Sequence, residues 1–62
     1  MPLTITSLYP INVRSIVDDA HGCIPLTEPC LLQAGETATF ELLQFQDGPR
    51  WHRTNAPLTP KN

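Results

Sequence analysis

The chain has 62 residues, 40% of them apolar, and a formal net charge of −2. A chain of this length makes one domain at most and buries only about 60% of the surface its unfolded form exposes, which leaves a thin core and little room for an enclosed active-site cleft. Four Lys and Arg against six Asp and Glu argue against a general nucleic-acid binder, which needs many cations to release phosphate counterions.

From the N-terminus, Leu3 to Leu8 is the first strand expected, ending at Tyr9-Pro10, because a residue before proline is pushed towards extended backbone. Asn12 to Val17 is β-prone and runs into Asp18-Asp19-Ala20-His21-Gly22, a hairpin loop with glycine where φ must be positive. Cys23 to Leu26 is the returning strand, and Pro25 makes it short or places it at an edge. A separate piece, Pro29 to Leu32, leads into a tight turn at Gln33-Ala34-Gly35-Glu36.

The best-patterned stretch is Glu36 to Phe45. Ala38, Phe40 and Leu42 share one face at period two, with Thr37, Thr39 and Glu41 on the other, as in a half-buried strand. Leu43 and Phe45 break that alternation; a bulge near Leu42-Leu43 would restore it, or that end of the strand is covered on both sides. Gln46-Asp47-Gly48-Pro49 is a third turn and delivers the chain into a last strand, Arg50 to Thr54. Seven prolines punctuate the chain too often for long helices.

The stretch Leu32-Gln-Ala-Gly-Glu-Thr-Ala-Thr-Phe40 resembles the loop-and-strand entry of many bacterial immunoglobulin-like sandwich domains. That resemblance covers nine residues, implies a fold class and carries no functional residue. Together with the turn spacing it predicts an all-β domain over 1–54: a small antiparallel sandwich or barrel of about five to six short strands. Residues 55–62 are expected as an extended, Pro-rich tail. Below roughly 70–80 residues a domain usually needs a disulfide, a metal or a partner to complete its stability.

Cys23 and Cys30 read as free thiols by default, or as a short-loop disulfide. With His21 and His52 they are the only zinc candidates, but the His-x-Cys spacing lacks the close Cys-x2–4-Cys knuckle of structural sites. Cys23 beside His21 could form a thiolate–imidazolium pair, and Asp18-Asp19 is a carboxylate pair set in a turn. Neither sits in a sequence that would build an oxyanion hole. No catalytic residue, metal or cofactor is therefore expected.

Arg50-Trp51-His52-Arg53 carries the most information. On a strand Trp51 and Arg53 face one way, Arg50 and His52 the other. Two placements compete: Trp51 in the core with the charges in water, or Trp51 and its flanking Arg pair against another chain, since Trp and Arg are enriched at interface hot spots. The second makes Arg50, Trp51 and Arg53 the candidate partner-binding residues. Stacking on single-stranded nucleic acid is a distant third, with too few cations nearby.

Met1-Pro2-Leu3 lacks the basic start of a secretion signal, and no apolar run is long enough to span a membrane. The expectation is a protein kept in the cytoplasm or assembled from there into a particle. Functionally, these observations point to a non-enzymatic structural or interaction protein, a homo-oligomer or part of a larger assembly. Its concrete form is a decoration, cement or minor capsid subunit of a bacteriophage virion. The alternatives are a phage- or plasmid-encoded inhibitor of a host protein and a zinc-stapled binding domain.

Overall fold

The computed structural model describes residues 2–55, so the expected tail beyond Asn55 lies outside the described residues. Five strands form one curled, mixed sheet, a half-barrel: β1 (Leu3–Thr6), β2 (Ile11–Asp18), β3 (Gly22–Leu32), β4 (Thr37–Phe45) and β5 (Gly48–Arg53). Their order in the sheet is β1-β4-β5-β3-β2. The all-β class and the strand number are as expected, and of the sandwich and the barrel it is the barrel-like form that is found: one layer rolled around its core. The pairing is antiparallel everywhere except between β3 and β5.

The roll follows from the connection between the two edge strands. β1 and β2 stand at opposite edges, yet only residues 7–10 join them. Five flat strands would separate the edges by about 19 Å at ordinary strand spacing, while the link from Thr6 to Ile11 reaches at most about 17 Å. The sheet must curl. The link is also tied down on its way across, because the Gly35 amide donates to the Ser7 carbonyl at 2.7 Å.

Three turns expected from the sequence close the strands. Asp18 pairs with Gly22 across Asp19-Ala20-His21, and Gly22 takes φ +83°. In the turn at Gln33 to Glu36 the Glu36 amide donates to the Gln33 carbonyl at 3.0 Å. Gly35 sits in it at φ +80°, the conformation a type II turn requires at its third residue. Phe45 pairs with Gly48 across a two-residue loop.

β3 differs most from expectation. The segments at Cys23–Leu26 and Pro29–Leu32 are one strand of eleven residues carrying both prolines. It pairs with β2 through residues 22–25 and 30–32, and the register shifts between Val13 and Ser15. Between them Leu26 to Pro29 leave β2, and there Leu26 pairs with Trp51 of β5. A proline has no amide to give a ladder, and Pro25 and Pro29 bracket the part that gives none to β2. The bulge therefore lies in β2–β3, not near Leu42-Leu43, where β4 and β5 pair without a break from Phe40 to Phe45.

The concave face holds Val13, Ile24, Leu26, Cys30, Leu32, Ala38, Phe40 and Trp51, with Leu3, Ile5, Ile16 and Leu42 half-buried against them. Phe40 and Leu32 are wholly enclosed. Burying such side chains stabilises by roughly 1.5–3 kcal/mol each. Trp51→Ala should cost about 3–5 kcal/mol, comparable to all that a core this small supplies, so circular dichroism should find the variant largely unfolded. Trp51→Phe should stay folded with a urea midpoint lowered by about 1–2 kcal/mol of stability, from lost packing and one lost hydrogen bond.

Candidate functional site

The Arg50–Arg53 stretch lies in β5, whose neighbours are β4 and β3. Direct partners across the β4–β5 ladder share a face. The pairs Phe40–Arg53 and Leu42–Trp51 therefore look into the core, and Glu41–His52 and Leu43–Arg50 look out. The facing read from the sequence is thus found, and it places Trp51 inside. The residue is 5% exposed, and its Nε1–H donates to the Ile16 carbonyl of β2 at 3.1 Å. Buried indoles need such an acceptor.

Arg53 is also held within the fold. β3 and β4 fork where Gln33–Glu36 joins them, and β5 ends inside that fork. There the Arg53 guanidinium donates to Glu36 Oε2 at 3.1 Å and to Cys30 Sγ at 3.3 Å. Its Nε–H is buried without an acceptor among the described residues. Arg50, on the outer face, pairs with Asp47 at 3.0 Å and donates to the Pro49 carbonyl. Of the three residues proposed from sequence to grip a partner, only Arg50 faces outward. The placement favours a core role for Trp51 and a structural one for Arg53.

Beside Arg53 a hollow of about 300 Å³ lies between β3 and β5, lined by Thr27, Glu28, Pro29, Cys30, Leu31, His52 and Arg53. His52 Nδ1 stands 3.4 Å from Thr27 Oγ1 across it. Its polar groups are mixed in sign, and its one arginine, the half-buried Arg53, is paired with Glu36.

The remaining sequence candidates are kept apart. Cys30 is buried and Cys23 exposed, and their β2 partners are Val13 and Val17. Four residues of strand put the two thiols roughly 13 Å apart, beyond the reach of a disulfide in this fold. His21 turns away from Cys23 and sets Nδ1 at 2.7 Å from Asp18 Oδ2, while Cys23 Sγ faces Ser15 Oγ. Asp18 also accepts the Ala20 and His21 amides. The His21 contact is the largest cause holding its carboxyl below the usual range. Among the described residues no three His, Cys, Asp or Glu gather closely enough to hold a metal ion.

One surface feature escaped the sequence reading. Leu8, Tyr9 and Leu31 are 81%, 73% and 61% exposed, and β2–β3 pairing sets Leu31 opposite Asn12, at the end of β2 that Leu8 and Tyr9 enter. The signals were local. Leu31 has the opposite strand parity to Cys30 and Leu32, and Tyr9-Pro10 lies in the link outside the ladder. Val17, at 71%, adds a further exposed apolar side chain on the outer face of β2.

Glu36 is held below the ordinary carboxyl value of 4.5 first by the Gln33 amide and then by Arg53. A carboxyl lowered by folding stabilises fully above its unfolded value, and that contribution is lost as pH falls through the folded value. Acid titration followed by circular dichroism should show stability falling below about pH 4.5. Glu36→Gln should make that fall shallower, and an unchanged slope would remove Glu36 from the fork's electrostatics.

Comparison of the chain with models of protein families, with curated proteins and with solved structures finds no match.

Proposed function

We propose that this chain is a non-enzymatic structural protein that works by docking on a larger protein assembly. The observation that carries the reading is the exposed apolar group Leu8, Tyr9 and Leu31 at one end of the β2–β3 pair. Scattered apolar side chains are ordinary on any surface. Here Leu8, Tyr9 and Leu31 lie at or beside the same end of the β2–β3 pair, in a domain whose core is a single thin layer. Apolar surface left in water by such a small domain gains most from a partner that covers it.

The specific form we put forward is an accessory subunit of decoration, cement or minor capsid type in a bacteriophage particle. Small size, a core of one sheet and Pro-rich ends support it. Such a subunit needs shape and adhesion and no reacting groups, in keeping with candidate catalytic side chains that are separated or engaged in turns. The proposed contact surface moves from Trp51 and Arg53 to the β2–β3 end, with Arg50 outside it.

The test is co-purification with the assembled particle, with copy number read by native mass spectrometry. The wild-type chain should be retained at a fixed stoichiometry. The combination Leu8→Ser, Tyr9→Ser and Leu31→Thr should fold normally, since exposed substitutions usually cost within about 0.5 kcal/mol each, and should lose most of its retention. Full retention of the folded triple variant, or a wild-type chain found only free of any assembly, would contradict the proposal.

A further inference from the structure

Leu8 and Tyr9 belong to the link between the two edge strands, and the strand before that link is attached to the domain as a separable piece. β1 is the first strand and pairs with β4 alone, from Leu3–Phe40 to Thr6–Thr37. From one face its Leu3 and Ile5 pack on the core. On the other, Thr4 and Thr6 set their hydroxyls 3.4 and 2.7 Å from those of Thr39 and Thr37. No ladder joins β1 to β2, the strand that follows it in the chain. A β1 supplied by a second copy would therefore make the same contacts.

The link decides which copy supplies it. The Gly35 amide holds the Ser7 carbonyl, so the hinge proper is Leu8, Tyr9 and Pro10. The chain bends at Leu8 and Tyr9, although a proline at position 10 biases residue 9 towards extended backbone. Among the described residues only the Ser7 hydroxyl holds that bend. Its Oγ accepts the Tyr9 amide at 3.2 Å and donates to the Tyr9 carbonyl at 2.6 Å. Leu8 and Tyr9 remain 81% and 73% exposed, so the bend gives them little to pack on. Short hinge loops at odds with their own local bias invite exchange of an element between copies.

We propose that β1 is an exchange arm: the hinge straightens, and two copies swap β1, each laying Leu3–Thr6 on β4 of the other. A reciprocal exchange closes with two-fold symmetry. The two straightened hinges run antiparallel beside the axis, where Leu8 and Tyr9 of each copy meet those of the other. Apolar surface left in water by the closed form is covered there. Leu31 stays on the outer face of β3, open to other contacts. The inference rests on the reading of Leu8, Tyr9 and Leu31 as a docking surface, and it names a second copy as the partner of the first two.

The experiment unfolds the full chain in denaturant, refolds it at micromolar or at millimolar concentration, and reads its size by sedimentation velocity. Unfolding comes first because β1 must leave its own β4 before it can exchange. Wild type should be monomeric after dilute refolding and dimeric after concentrated refolding. Three glycines inserted between Leu8 and Tyr9 let the link turn freely and should weaken dimerisation at least about tenfold.

A cross-link then shows whose β1 lies on which β4. Thr6→Cys and Thr37→Cys are combined with Cys23→Ser, since the Thr6 and Thr37 hydroxyls already touch across the ladder. After concentrated refolding and oxidation the disulfide should join two chains on a non-reducing denaturing gel, and after dilute refolding it should close within one. Wild type that stays monomeric at millimolar concentration, or a dimer whose cross-link closes within each chain, would overturn the proposal. If the two cysteines do not oxidise, the insertion decides, and a dimer it leaves unweakened overturns the proposal as well. Retention on the particle is a separate readout: a retained monomer ends the exchange and keeps the docking function, while a swapped dimer found on no particle does the reverse.

Discussion

Everything in this fold depends on how β5 is wedged between β3 and β4. The sheet has two halves, β1-β4-β5 and β3-β2, and the ladder between them is one parallel bridge, Leu26 to Trp51. One bridge gives little backbone cohesion. The Trp51 side chain supplies the rest, because it fills the concave face opposite Leu42 and donates to Ile16 on the far strand of the other half. One side chain thus touches the strands on both sides of the seam. At the end of the wedge Arg53 binds Glu36 in the connecting turn and Cys30 in β3, so the fork cannot spread without breaking a charge-assisted pair.

This arrangement explains the division of labour along the β5 strand. Central strands are covered on one face by the core of a half-barrel and on both edges by neighbours, which leaves only the outer face free. Arg50 and His52 receive that face, and Trp51 and Arg53 receive the inner one. The surface open to partners is consequently set by the edges and ends of the sheet. The β2–β3 pair is the element most exposed in this sense, with one edge open and apolar side chains at its end.

The local features were legible in the sequence, and the non-local ones were not. The alternation of Ala38, Phe40 and Leu42 and the turns that hold Gly22, Gly35 and Gly48, all at positive φ in the structure, are decided by neighbours within a few residues, and the strand and the turns are found where pattern reading puts them. Pro25 and Pro29 read as interruptions because a proline usually marks a strand end. In the structure they fall where β3 leaves β2, so one long strand survives. The parallel bridge to β5 is invisible in sequence, since it joins residues 26 and 51 through no shared motif. That is also why Trp51 stayed undecided between core and interface: strand composition is the same for both, and only the strand order settles it. The exposed Leu8, Tyr9 and Leu31 went unnoticed for the converse reason, as apolar residues counted for the core.

Hydrogen exchange of the Trp51 indole N–H, followed by NMR on the folded chain, tests the seam most directly. If this group donates to the Ile16 carbonyl inside the core, it should exchange as slowly as the most protected amides of β3, β4 and β5 and be released only on global unfolding. An indole that exchanges at the rate of a solvent-exposed tryptophan, in a chain whose β4 amides remain protected, would contradict the account.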